Sequence, residues 1–145
     1  MRIESVGIKN FRAFKDCTIH FDDYTCLVGA NGVGKSTVLA ALNVFFGYQD
    51  GNATDVRNLA DEDFFQKDTS EPIEIKVTFG DLSDEAREDF KHYVRGNKLI
   101  VTARAEFSES GAGIRQYGSR MGIGKFRPFF EAQSAKDKKA VYEDL

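Results

Sequence analysis

The sequence predicts an α/β fold: a mixed β-sheet, a central helix packed on it, and an antiparallel portion made by the amino-terminal strands and those between Leu99 and Arg127. Three observations lead there. A short apolar run, Tyr24 to Val28, ends at a glycine-rich loop that opens into the apolar stretch Thr37 to Phe46. Ile73, Ile75, Val77 and Phe79 alternate with Glu74, Lys76 and Thr78, the period of a strand with one buried face. Ile3, Val6 and Ile8, followed by Cys17 to Phe21 across the turn Asn10 to Asp16, read as a hairpin.

Each element has its own justification. Asp22-Asp23 makes a turn, and Tyr24 to Val28 has the unbroken apolar character of a strand buried on both faces. In Thr37 to Phe46 apolar residues occur almost all round, which predicts a buried helix, with Gly47 as its C-cap. Tyr48 to Pro72 is polar and acidic and reads as loop with at most a short helical turn, the least ordered part of the chain. After the Ile73 strand, Ser83 is an N-cap with Asp84 and Glu85 in the first turn. That helix is expected to carry Ala86, Phe90 and Tyr93 or Val94 on one face and to stop at Gly96.

Leu99 to Phe107 reads as a further strand, and Ser108 to Gly124 as a hairpin with a loose loop. Between Gly111 and Phe130 the charges are Arg115, Arg120, Lys125 and Arg127, with no acid among them. They read first as a solvated strand pair and second as a patch facing phosphates. Asp137 to Leu145 has the look of a helix that the chain does not finish.

Composition narrows the class. The chain has 145 residues, 41% hydrophobic and 30% charged, within the globular range and enough for one domain that buries roughly 70% of its unfolded surface. Much of the core should come from its 13 Phe. A net charge of -3 does not give the whole chain the basic field of an autonomous nucleic-acid binder. Cys17 and Cys26 form no CxxC pair, and Cys26, set in an apolar run, reads as a buried, inert thiol. The start lacks an apolar leader and no run reaches the ~20 residues that span a bilayer, so a cytoplasmic location is expected.

The chemistry lies in Gly29-Ala30-Asn31-Gly32-Val33-Gly34-Lys35-Ser36, which fits G-x-x-x-x-G-K-[ST] between a strand and a helix. Glycines at 29, 32 and 34 let backbone N–H groups approach an anion, and the helix that follows aims its free amides at the same place. Lys35, the candidate catalytic residue, would reach the β and γ phosphates of a nucleoside triphosphate. Ser36 would ligate Mg2+. A buried Lys35 without an anion would carry a desolvation cost of several kcal/mol.

With Ile8-Lys9-Asn10-Phe11-Arg12-Ala13-Phe14 before it, the loop Gly29 to Thr37 resembles the amino terminus of the SMC, RecF and OLD (overcoming lysogenisation defect) ATPases. Pro72 to Phe79 followed by Asp81-Leu82-Ser83-Asp84-Glu85 is most similar to the OLD nucleases. The resemblance implies a P-loop NTPase lobe of the ABC ATPase kind. It also implies ATP and Mg2+ as ligands, with Asn31, Gly32, Val33, Gly34, Lys35, Ser36 and Thr37 at the phosphates. Arg12, in the Asn-Phe-Arg turn, is expected as a further phosphate contact; a solvent-facing arginine is the competing reading.

The sequence departs from the family pattern in lacking a Walker B strand, since neither Ile19 to Asp23 nor Val77 to Asp81 fits, and in lacking the Leu-Ser-Gly-Gly-Gln segment. Gln116 and Gln133 are available as a switch glutamine without the expected neighbours, and His20 and His92 have no catalytic company. The chain is therefore expected to be the nucleotide-gripping part of an ATPase completed by another half or a nuclease domain, in cis or in trans. By resemblance that ATPase would be homodimeric, with DNA processing or phage defence as its purpose. A non-catalytic module dimerised by nucleotide and a small P-loop kinase are the alternatives.

Overall fold

In the computed structural model the first strand, β1 (Arg2–Phe11), turns back through Arg12-Ala13 into β2 (Phe14–His20), the predicted hairpin with longer strands and a tighter turn. The model describes residues 1–30, 32, 34–49, 55–119 and 134. Beyond the hairpin come α1 (Lys35–Phe46), β3 (Asn58–Leu59), β4 (Ile73–Gly80) and α2 (Asp84–Asp89). The last elements are β5 (Val94–Arg95), β6 (Lys98–Ala105) and β7 (Ala112–Gly118).

The strands form one sheet in the order β2-β1-β4-β6-β7-β3, with β5 on β6. Every pairing among the described residues is antiparallel, so they build the antiparallel portion and hold no parallel pair. Registers such as Val6↔Val77, Val77↔Val101 and Ile75↔Ala103 place apolar residues side by side on one face. That face is the core, because the strand period of two sends Lys9, Glu74, Lys76 and Arg104 to the other side. The α1 helix covers the core face: Phe45 meets Phe79 with ring centroids 6.1 Å apart.

The helix is less buried than its composition predicts. Thr37, Val38, Ala41, Val44 and Phe45 are buried, whereas Leu39 is 60% and Phe46 56% exposed. A single sheet face shields one side of a helix, and nothing among the described residues covers the other.

Several local expectations are corrected. Tyr24 to Val28 forms no strand, and Tyr24 and Val28 are 88% and 87% exposed. An isolated apolar run gains nothing from being extended unless neighbours bond both its edges, and no described residue does so. Cys26 is consequently exposed rather than buried, and Cys17 is half-buried.

The segment up to Pro72, expected as loosely ordered loop, is anchored instead. Val56, Leu59 and Phe64 enter the core, each contributing about 1.5–3 kcal/mol by burial, and 3-10 turns at Asp61–Asp63 and Phe65–Lys67 flank Phe64 on either side. Finally, α2 is capped by Ser83 as predicted, its hydroxyl accepting from the Ala86 amide, but ends at Asp89. Gly96, at φ 57, heads the two-residue loop joining β5 to β6 and is not a helix stop. The turn at Ser108–Gly111 is tight rather than loose. Arg120, Lys125, Arg127, Gln133 and the expected helix 137–145 lie outside the described residues. Among the described residues no helix is long and apolar enough to cross a membrane.

Candidate phosphate-binding site

The α1 helix starts without a side-chain cap. Gly34 is its N-cap at φ 107, a left-handed conformation that disfavours any residue with a Cβ, and no acidic side chain lies in the first turn. The first intrahelical bond runs from the Val38 amide to the Gly34 carbonyl at 3.1 Å. The amides of the preceding turn are left to an outside acceptor, where the helix dipole adds a positive potential. A Cβ on Gly32, at φ 87, would meet nothing within 4 Å.

Lys35 folds its ammonium back over the loop, donating to the Ala30 carbonyl at 2.8 Å and to that of Gly29. The Ser36 side of the turn faces solvent, and Thr37 is buried at 7% exposure. Asn31 and Val33, the other two loop positions expected at the phosphates, lie outside the described residues. A three-glycine turn, an uncapped helix start and one ammonium suit a polyphosphate, whose oxygens can take over the amides and draw Lys35 off the carbonyls. For a divalent ion the described residues offer no group of three or more His, Cys, Asp or Glu. Ser36 and the phosphates themselves are then the ligands at hand.

The hairpin turn abuts this loop through Phe14: a Cβ on Gly34 would lie 2.8 Å from Phe14 Cε1 and 3.2 Å from Cε2. Two residues earlier, Arg12 takes φ 48 in a two-residue hairpin loop, a place usually given to glycine. Its strain is held by Asp63. The Asp63 Oδ1 accepts from Arg12 Nε and lies near Nη2, both at 3.0 Å, while the Asp63 carbonyl accepts from the Arg12 amide at 2.8 Å. Asn10, also at positive φ, donates its amide to the Asp68 and Glu71 carbonyls at 2.9 and 2.7 Å. The Asn-Phe-Arg-Ala-Phe turn thus brackets two segments: Asn10 and Arg12 grip residues 60–71, and Phe14 buttresses the loop. Sequence reasoning missed Asp63, and the only signal was an acid two positions past Asp61 in a stretch read as loop with at most a short helical turn.

Gln116 is committed elsewhere. Its Nε2 donates to the Phe45 carbonyl at 2.6 Å, at the C-terminal end of α1 and a helix length of roughly 18 Å from the loop. His20 and His92 are exposed, on β2 and after α2.

A sheet carrying a glycine loop and a helix that starts at its lysine fits an α/β fold of the P-loop NTPase type. The family model described as "AAA ATPase domain" matches residues 1–144, and the chain belongs to that family. An OLD nuclease from Thermus scotoductus is 34% identical over 77 residues, covering 53% of this chain and 14% of that protein. Endonuclease GajA from Bacillus cereus is 33% identical over 117 residues, covering 79% and 18%. The chromosome partition protein Smc of Halobacteriovorax marinus is 34% identical over 104 residues, covering 68% and 8%. The resemblance to OLD and SMC ATPases read from the loop and the Asn-Phe-Arg turn is thus shown. The chain spans less than a fifth of the length of these curated relatives.

Proposed function

We propose that this chain grips Mg-ATP as the amino-terminal part of an OLD-like ATPase. The observation that carries the reading is Lys35: its ammonium folds onto the loop carbonyls beside an uncapped helix start, the arrangement a triphosphate would complete. In this reading the amides from Gly32 to Thr37, Asn31 and Val33 included, hold the phosphates. Lys35 neutralises the β and γ groups, and Ser36 supplies an oxygen to Mg2+. Arg12, positioned by Asp63, adds a further contact.

Bound magnesium would polarise the phosphoryl oxygens; the chain's own share is to bind and orient. Hydrolysis needs acids that no segment of the sequence supplies in the right pattern, so the other half comes from a longer chain or a partner polypeptide. The exposed apolar surfaces at Tyr24, Val28, Leu39 and Phe46 support such a completion. The names OLD nuclease and endonuclease GajA support a nuclease as the whole protein; DNA processing or phage defence as its purpose and a homodimer as its assembly rest on the resemblance alone.

Isothermal calorimetry with Mg-ATP tests the reading. Saturable heat that disappears in Lys35→Ala supports it, together with turnover far below the ordinary enzymatic 1–1000 per second. A folded chain that gives no heat and no thermal shift with any triphosphate overturns it. Lys35-dependent hydrolysis at ordinary rates overturns the incomplete-ATPase part alone. The same exposed apolar surface favours one second reading, a non-catalytic module that ATP assembles into dimers. Sedimentation with and without Mg-ATP distinguishes the two.

A further inference from the structure

The strand β2 lies at the end of the sheet order, and among the described residues no strand pairs with its other edge. It keeps a single register with β1 and carries no proline or glycine to blunt that edge; its one lysine, Lys15, stands beside the turn. In an antiparallel pair, alternate residues turn both backbone groups toward the neighbour or both away from it. Counted from Phe11↔Phe14, the pair that closes the two-residue loop, Asp16 and Thr18 turn theirs to β1, so Cys17 and Ile19 turn theirs outward. Outward N–H and C=O groups of this kind are a template for one further strand.

The side chains choose the occupant. Asp16, Thr18 and His20 are exposed on one face of β2, while Cys17 and Ile19 are half-buried on the other. Neither Asp16 nor His20 has a hydrogen-bond or ion-pair partner among the described residues, although Lys9 stands directly across from Asp16 on β1. A second copy laid antiparallel on this edge, about a two-fold axis through Thr18, sets Asp16 against His20 twice and Cys17 against Ile19 twice. Moving the axis removes the match: at Cys17 it sets Lys15 against Ile19, at Asp16 it sets that acid against itself, and at Ile19 it sets Asp16 against Asp22. An unrelated extended peptide offers no such reciprocal match. We propose that the free edge of β2 joins two copies of this chain strand to strand, without nucleotide, with Thr18 on the two-fold axis. A seven-residue strand covers less than the roughly 1,200 Å2 of stable interfaces, so the pair is reversible and depends on concentration. It differs from a dimer assembled by ATP and does not rest on the reading given to the phosphate loop.

Single-cysteine forms of the 145-residue chain test this in the absence of nucleotide. With Cys17→Ser and Cys26→Ser in place, Thr18→Cys sets a thiol against its own copy across the axis, at the roughly 4.5–5.5 Å Cα spacing that a disulfide spans. Mild oxidation is expected to give a covalent dimer. His20→Cys in the same background sets the two thiols four residues apart along the strands, about 13 Å, and should cross-link on the order of tenfold more slowly. Sedimentation of the chain with its native cysteines gives a second readout: a dimer that grows with concentration, weakened on the order of fivefold by Asp16→Lys and regained when His20→Asp is added. The proposal is overturned if the Thr18→Cys chain stays monomeric on oxidation, if His20→Cys cross-links as fast, or if native Cys17 cross-links faster than Thr18→Cys. It is equally overturned if Asp16→Lys leaves the association unchanged, or if the dimer forms only with Mg-ATP.

Discussion

The Phe14 ring lies against the Cα of Gly34, closing the space where any larger residue would put its Cβ. Through this contact the amino-terminal hairpin sets the position of the phosphate loop. Gly34 is required twice, once for its φ of 107 and once for the ring. Gly34→Ala should destabilise the chain by about 1–3 kcal/mol and remove triphosphate binding. Adding Phe14→Ala should relieve the overlap and leave the backbone strain, so the double variant recovers only part of the loss. Denaturant melts and calorimetry on the two variants check this.

Asp63 holds Arg12 by side chain and backbone together, and its other carboxylate oxygen accepts from the Ala60 amide at 3.2 Å. Asp63→Ala removes the carboxylate from Arg12 while keeping the backbone bond to its amide, and should cost about 1.5–3 kcal/mol, the range for hydrogen bonds to charged groups. Because the guanidinium then loses the carboxylate that orients it, triphosphate affinity should fall as well. Arg12→Ala lowering affinity while Asp63→Ala leaves it untouched would remove the positioning role of Asp63.

The bond from Gln116 to the Phe45 carbonyl joins β7 to the last turn of α1. Gln116→Ala should cost about 1 kcal/mol and speed amide exchange in the C-terminal turn of the helix, with the Lys35 end unaffected. Hydrogen exchange read residue by residue gives the answer.

Cys26 is exposed and Cys17 half-buried on β2. A thiol reagent should therefore modify Cys26 quickly in the native chain and Cys17 slowly, with both reacting fast in denaturant. Mass mapping of the modified residues tells them apart. If a further segment covers the Tyr24 to Val28 run in a longer protein, Cys26 should be protected there.

The Ser70 hydroxyl and amide both donate to Asp68 Oδ1, at 2.5 and 3.0 Å, and hold its carboxyl below the ordinary value of 3.8. A depressed folded pKa means that its stabilising contribution is complete above 3.8 and is lost as the pH falls through the lower folded value. In Ser70→Ala the titration of Asp68, followed by NMR, should return toward the ordinary value.

Where the sequence was legible, one local rule sufficed. The alternation of Ile73 to Phe79 is the buried pattern of β4, and Ser83 caps α2 through the Ala86 amide. Where it misled, the decision was not local. Val94-Arg95 continues a helical pattern as well as a strand, and it became β5 because Lys98-Leu99 could pair with it across Gly96. Residues 55–72 look polar as a string, yet Val56, Leu59 and Phe64 find the core because Arg12 binds the backbone at Asp63 and Asn10 binds it beyond Phe64, at Asp68 and Glu71.

The glycine-lysine-serine loop, the helix after it and the family they belong to were thus determined by the sequence alone, since backbone freedom and a single ammonium are properties of residue type and spacing. The pairing of Arg12 with Asp63 and the ring of Phe14 against Gly34 were decided only by the tertiary structure. Those contacts join residues far apart in the chain, and which of them meet depends on strand order and register, which no short window of sequence contains.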